Sequence, residues 1–246
     1  MLLMCGRFRQ TRSQKQLEDT FNGRFDGEEP HEGAAAEVAP HYNIAPSQTI
    51  VTVRQAPSQR MRRLSFMRWG LIPHWAKELK IGYKNINARA ETAATTPSFR
   101  DAFRSQRCLI PADGFYEWQN NGNAKQPYIF EMAKDELFAF AGLWDRWSRP
   151  GRNAIESCTI LTTKPNQLLS GIHDRMPVIL EPANYDLWLD PAFKNAEDLT
   201  AMLQPFPAQC MRRHAVSTHV NDPKNDDPEC AKPFEPQLHP SQEPLF

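Results

Sequence analysis

The sequence predicts an α+β domain built around a curled, mainly antiparallel β-sheet, barrel-like, with flanking helices. Three observations carry that expectation. Short runs of β-branched and aromatic residues, bounded by Pro, Gly or Asn, outnumber the helical stretches. The runs do not alternate regularly with helices, so a doubly wound parallel sheet is a poor fit. The chain's 246 residues, 40% of them hydrophobic, suit one domain of generous size with a substantial core.

The elements follow in order. Residues 13–21 read as a helix, and the acidic, Gly/Ala-containing stretch 26–40 reads as a loop. Strands are expected at 48–54 and 64–69. A helix at 97–105 opens with a proline suited to a first turn. Strands at 108–110, 114–118 and 128–132 come next, with Asn120-Asn121-Gly122-Asn123 as the hairpin turn between the last two. Further strands cover 137–144, 157–163 and 177–180. Helices are expected at 165–170, 182–189 and 195–203, the last capped by Asn195. From Asp222 the chain carries six prolines, which predicts an extended or disordered tail over 222–246 behind a folded domain of 4–221.

Composition narrows the function classes. Charged residues at 24% and aromatics at 10% exclude wholesale disorder. No apolar run approaches the roughly 20 residues of a membrane-spanning helix, so no membrane is expected. Met1-Leu2-Leu3-Met4-Cys5-Gly6-Arg7 is too short for a signal-peptide core, which places the protein in the cytoplasm. The cysteines (Cys5, Cys108, Cys158, Cys210, Cys230) are odd in number and contain no Cys-x-x-Cys pair, against a disulfide framework or a zinc ribbon. Basic and acidic residues balance at 29 each, yet residues 54–107 hold twelve Lys or Arg and only three acids. With Phe66, Trp69, Trp75 and Tyr83 among those charges, the segment has the pattern of a polyanion groove. Ordinary solvated faces would look the same.

Four local signatures could carry chemistry. The first is Met4-Cys5-Gly6-Arg7-Phe8. If Met4 is the start, methionine removal leaves Cys5 first in the chain. It is then a 1,2-aminothiol, with an amine near about 8 and a thiol near about 8.5. The amine can condense with an aldehyde, and the thiol can then close a five-membered thiazolidine ring. The alternative is a partly buried cysteine in a first strand. The second is Asn85-Ile86-Asn87-Ala88-Arg89-Ala90-Glu91-Thr92, where Asn87 and Arg89 share a face if extended and an Arg can grip phosphate. Otherwise it is a helix-entry cluster.

The third is Pro111-Ala112-Asp113-Gly114-Phe115-Tyr116-Glu117-Trp118. A carboxylate set among aromatics tends to a raised pKa useful for acid–base work; a strand-end Glu facing water is the alternative. The fourth is Gly171-Ile172-His173-Asp174-Arg175-Met176-Pro177, with His173 as a natural proton shuttle and Arg175 placed to face an anion. No glycine-rich phosphate loop, Gly-x-Ser-x-Gly elbow or His-Glu-x-x-His helix is present.

Taken in this order, the signatures resemble the SOS response-associated peptidase family of abasic-site processing proteins. Tyr-Asn-Ile-Ala-Pro at 42–46, Trp-Gly-Leu-Ile-Pro-x-Trp at 69–75, Phe-Ala-Gly-Leu-Trp at 140–144 and Val-Ser-x-x-Val-Asn at 216–221 extend the match, which spans roughly residues 4–235. The resemblance implies a DNA-repair enzyme that binds single-stranded DNA and crosslinks to the aldehyde of an abasic site, with lyase or peptidase-like activity. By the motif matches, Cys5 is the nucleophile and Asn87 positions its amine or the opened sugar. Glu117 is the general acid–base, and His173 assists sugar ring opening. Arg7, Arg89 and Arg175 look like phosphate contacts, and Trp75 and Trp118 like stacking surfaces. Neither a metal nor an organic cofactor is implied, and the protein is expected to act as a monomer, nucleoid-associated when bound to DNA. The departure is the leader Met1-Leu2-Leu3-Met4, which leaves the amine of Cys5 blocked unless Met4 is the true start or the leader is removed.

Two other classes fit the same residues: an N-terminal-nucleophile peptidase or amidase using Cys5 with His173 or Glu117, and a non-catalytic single-strand binder. Separately, the closing Gln242-Glu243-Pro244-Leu245-Phe246 resembles the bacterial sliding-clamp motif Gln-x-x-Leu-Phe, with Gln242, Leu245 and Phe246 as its matching positions.

Overall fold

Strands from the middle of the chain pair into a ring. The computed structural model describes residues 5–25, 38–55, 61–120, 122 and 125–235. In chain order its strands are β1 (Phe8–Gln10), β2 (Gly23–Phe25), β3 (His41–Ile44), β4 (Thr49–Arg54), β5 (Arg62–Trp69), β6 (Asn87–Arg89) and β7 (Arg107–Ala112). They continue as β8 (Gly114–Asn120), β9 (Lys125–Met132), β10 (Phe138–Trp147), β11 (Ile155–Thr163), β12 (Met176–Pro177), β13 (Ile179–Leu180) and β14 (Met211–Ala215). The helices are α1 (Gln14–Phe21), α2 (Ala90–Ala93), α3 (Arg100–Ser105), α4 (Tyr185–Leu189) and α5 (Ala196–Ala201).

The order β11-β10-β7-β4-β5 is antiparallel throughout, and β5 returns to β11 in parallel at Arg68↔Ser157 and Trp69↔Cys158. That last pairing closes a five-stranded barrel and removes the edges an open sheet would expose. A second sheet, β14-β9-β8-β1-β3, lies against it. The expected α+β fold around a curled, mainly antiparallel sheet is therefore the observed one.

Every residue of β7 is buried, because this strand lies between two cores. Side chains alternate with the strand period. Leu109, Ala139, Ala141 and Leu161 pack with Leu17 of α1, Phe103 of α3 and Trp188 of α4. Cys108, Ile110, Phe140 and Ile160 pack with Phe8, Phe115 and Phe130 of the second sheet. Phe8 meets Trp69 and Phe140 edge-on, with centroids 5.3 and 5.8 Å apart, and so fixes β1 on the barrel.

Local signals explain both ends of α1 and the start of α5. Ser13 and Gln16 form a capping box at the start of α1, and Asn22, left-handed at φ 47°, ends it. Asn195 caps α5 by accepting from Glu197 N and Asp198 N. Three expectations need correction. Residues 165–170 are turns, because the Asn166 side chain accepts from Leu168 N and Leu169 N and competes with helix formation. The helix expected from residue 97 begins only at Arg100. The tail is not extended from Asp222. Val220 and Cys230 are buried, Pro228–Ala231 makes a 3-10 turn, and Asn43 Nδ2 donates to the carbonyls of Val220, Asp222 and Asn225. Its prolines are tolerated because side chains satisfy the backbone groups that no ladder pairs. The clamp-like residues 242–246, most of the loop 26–40, the leader 1–4, and Asn121 and Asn123 of the hairpin turn lie outside the described residues.

Arg107 ties the helices to the barrel. Its guanidinium, on a residue 3% exposed, donates to the carbonyls of Phe103, Arg104, Trp188, Asp190 and Phe193. Arg107→Met leaves those carbonyls unpaired, and we expect a loss of about 3 kcal/mol, read as a lower urea midpoint at unchanged slope. An unchanged midpoint would contradict this role.

Candidate active site around Cys5 and Glu117

The pairing of β1 with β8 builds the site. Phe8 sits opposite Phe115, and Tyr116 N donates to Arg7 O at 3.0 Å. The chain before β1 therefore runs along β8 and brings Cys5 to Glu117. Cys5 is 1% exposed and bends in the left-handed region at φ 40°. Its backbone nitrogen donates to Glu117 Oε1 at 2.8 Å, across 112 residues of sequence. Asn87, first residue of β6, reaches in from β11's other side and places Nδ2 3.5 Å from Cys5 O. Cys5 thus touches two of the other expected catalytic residues, Glu117 and Asn87.

Burial dominates the electrostatics. Glu117 is 2% exposed, and desolvation pushes its carboxyl up to about 8, with the Cys5 N–H opposing and the charge of Asp174 adding to the rise. Desolvation and the neighbouring Glu117 also push the Cys5 thiol well above its ordinary value. The site therefore holds a neutral acid beside a neutral thiol at pH 7, rather than a carboxylate beside a thiolate.

His173 lies on the 171–175 loop, tied to β8 where Gln119 Nε2 donates to Gly171 O at 3.1 Å. Its Nδ1 is 3.0 Å from Asp174 Oδ1 and 3.2 Å from the Arg175 N–H donor. The side chain is nearly buried, at 9% exposure.

The arginines divide. Arg89 is exposed at the entry to α2. Arg175 is engaged within the fold. It is 8% exposed and forms a two-pronged pair with Glu91 at 2.7 and 2.8 Å, and its Nη2 also donates to Thr162 O. These bonds fasten the His173 loop to α2. Arg7 donates to Asn43 Oδ1, Val220 O and Asn221 O. It also lies 5.9 Å from the Trp118 ring centre. Trp118 is further held by Nε1 donating to Asn221 Oδ1 at 2.7 Å. Its surroundings form a cleft of about 500 Å³ with Gly6, Arg7, Ala45, Pro46 and Lys125. Trp75 is 46% exposed, as a stacking surface requires.

Asn43 and Asn221 are the positions whose roles the sequence reading missed. Both stand in quoted motifs, where Asn43 lies between Tyr42 and Ile44 and Asn221 follows Val220. Among the described residues, His219, Asp227 and Cys230 also cluster. Asn225 Nδ2 donates to His219 Nδ1, which leaves the proton on Nε2 to serve Asp227 Oδ2 at 3.0 Å, so the group acts as a hydrogen-bonded brace for the turn.

The raised Glu117 carboxyl has a stability consequence. An unfolded Glu ionises near about 4.3, whereas Glu117 does so near about 8 in the fold. Between those values the native state keeps a proton that the unfolded state releases, so stability falls as pH rises through that window. Glu117→Gln removes this cost. We expect the variant to gain about 2 kcal/mol over the parent at pH 8.5 and little at pH 5, read as urea midpoints. The same pH dependence in both proteins would contradict it.

Residues 4–223 match the family described as SOS response associated peptidase (SRAP). The chain is 48% identical over 227 residues to Abasic site processing protein YoqW of Bacillus subtilis (strain 168), covering 92% of this chain and 98% of that protein. It is 37% identical over 207 residues to Abasic site processing protein HMCES of Gallus gallus, covering 74% of this chain and 61% of that one. A crystal structure of a protein from Bacteroides thetaiotaomicron superposes with a TM-score of 0.83 at 25% identity, over 94% of this chain and 100% of that one. A match that takes in the barrel and all of Cys5, Asn87, Glu117 and His173 leaves one assignment: the chain belongs to the SOS response-associated peptidase (SRAP) family.

Proposed function

We propose that this protein is a DNA-repair enzyme that captures abasic sites in single-stranded DNA through Cys5. The observation that carries this reading is the 2.8 Å contact from Cys5 N to buried Glu117. That nitrogen is an amide while Met4 is attached; with Cys5 first in the chain, the same position holds an α-amine. An α-amine ionises near about 8, close to the value near 8 to which burial pushes Glu117. The buried carboxyl beside that nitrogen is placed to give it a proton or take one from it, as a general acid–base partner requires.

The steps follow. His173 takes the proton of the anomeric hydroxyl and returns one to the ring oxygen, opening the sugar to its aldehyde. The Cys5 amine adds to the aldehyde carbon, and Glu117 protonates the carbinolamine oxygen, which leaves as water to give the imine. Cys5 Sγ then adds to the imine carbon, its proton passes to nitrogen, and the thiazolidine closes. Asn87, 3.5 Å from Cys5 O, fixes the approach. Arg7, Arg89 and Arg175 supply phosphate contacts, and Trp75 and Trp118 supply stacking contacts. Reversal runs the same steps backwards, with Glu117 again carrying the proton.

A peptidase-like step has support of its own. While Met4 is attached, Cys5 N is the leaving nitrogen of the Met4–Cys5 bond, and protonated Glu117 lies beside it. Attack of Cys5 Sγ on the Met4 carbonyl, proton transfer to nitrogen and hydrolysis of the thioester would free the amine. A general peptidase using a Cys–His thiolate fits less well, because burial holds the Cys5 thiol protonated.

An oligonucleotide carrying one abasic site separates the readings. We expect a heat-stable shifted band, lost in Cys5→Ala and kept in Cys158→Ala. Turnover of a peptide without such a band would instead favour the peptidase, and salt-sensitive binding alone the non-catalytic binder. We further propose that Gln242, Leu245 and Phe246 contact a sliding clamp. Deleting residues 245–246 should abolish clamp binding in a titration, and unchanged binding would remove this contact.

A further inference from the structure

The least buried group of the site bears on two of its most buried ones. The Asp174 side chain is 82% exposed, yet Oδ1 lies 3.0 Å from His173 Nδ1. Its charge also reaches Glu117, where it adds to the effect of burial. The Arg175 N–H points at the same His173 Nδ1 from 3.2 Å. One ring nitrogen thus faces both a backbone donor and a carboxylate acceptor, and it can satisfy only one of them at a time.

We propose that Asp174 is a positioning residue that sets which nitrogen of His173 carries the proton. With the carboxylate engaged, Nδ1–H donates to Asp174 and Nε2 keeps a lone pair, so His173 is a base. With Nδ1 accepting from the Arg175 N–H, Nε2 carries the proton and His173 is an acid. Sugar ring opening needs both actions in turn, one to take the anomeric proton and one to return a proton to the ring oxygen. An exposed, movable carboxylate beside Nδ1 permits that exchange, whereas a fixed donor alone would hold the ring in the acid form. The Arg175 guanidinium is engaged with Glu91 and Thr162, and Glu117 is met by Cys5 and Asp174. Because Asp174 faces water, its influence is screened by salt and falls short of that of a buried catalytic aspartate.

This role deepens the reading proposed above, and its test is built so that the two can fail separately. Single-turnover crosslinking to an abasic-site oligonucleotide is followed from pH 5.5 to 9 for the parent, Asp174→Asn and Asp174→Glu. Alongside it, nitrogen-15 NMR of the free proteins reports the proton on each ring nitrogen of His173. For Asp174→Asn we expect a rate about ten-fold lower, an alkaline limb moved to lower pH as Glu117 loses a repelling charge, and a His173 proton moved from Nδ1 to Nε2. Asp174→Glu should restore both signals in part, and added salt should narrow the gap between parent and Asp174→Asn. An unchanged His173 tautomer in Asp174→Asn would overturn the role, as would a rate lowered equally at every pH. If the parent forms no crosslink, the reading of the reaction fails, and the tautomer measurement still decides the role of Asp174.

Discussion

A buried hydrogen bond from Cys5 N to Glu117 Oε1, 2.8 Å long, is the constraint on which the rest of the site depends. It joins positions 112 residues apart and forms only if β1 and β8 hold their register. That register in turn depends on Phe8, wedged between Trp69 and Phe140 of the barrel. The same burial that excludes water from this contact raises the Glu117 carboxyl into the range where it can both give and take a proton near neutral pH. Folding stability is lowered by keeping that carboxyl dry, and an acid–base group poised to act on the Cys5 nitrogen is what results.

Around this contact the chain uses its cations mostly as fasteners. Arg7 and Asn43 hold the turn at Val220 and Asn221, and that turn anchors Trp118 at the mouth of the cleft. Arg175 and Glu91 hold the His173 loop against the segment that presents Asn87 and Arg89. Each fastener crosses between elements far apart in sequence, so the side chains of the candidate site are positioned by packing and ion pairs rather than by neighbouring residues. This division also qualifies the charge pattern. Part of the basic middle of the chain is internal, with Arg107 and Arg54 both buried, while Lys77, Lys80, Lys84, Arg89, Arg100 and Arg104 stay exposed to meet a polyanion.

Much of this was legible in the sequence because it is local. Runs of β-branched and aromatic residues bounded by Pro, Gly or Asn marked the barrel strands, and Ser13 and Asn195 marked two helix starts. The aromatics flanking Glu117 and the place of Cys5 directly behind Met4 drew attention to two residues that the fold brings together. What stayed illegible depends on distant partners. Strands as short as Phe8–Gln10 and Asn87–Arg89 carry too few residues for a periodic signal, and their pairing decides them. An arginine beside a catalytic motif looks the same whether its donors meet phosphate or, as in Arg7 and Arg175, carbonyls and a carboxylate more than 80 residues away. Prolines after Asp222 hid a folded turn because Asn43, which satisfies its carbonyls, lies at the other end of the chain.

The central claim is that Glu117 holds the α-amine of Cys5 at the point where an aldehyde becomes a thiazolidine. Tryptic digestion of protein crosslinked to an abasic-site oligonucleotide, followed by mass spectrometry of the adduct, tests it most directly. Cleavage after Arg7 should yield Cys5-Gly6-Arg7 with the sugar attached and one water lost, stable to borohydride because the imine has been closed by sulfur. An adduct on a peptide that still begins before Cys5, on another residue, or reducible as an open imine would contradict the account.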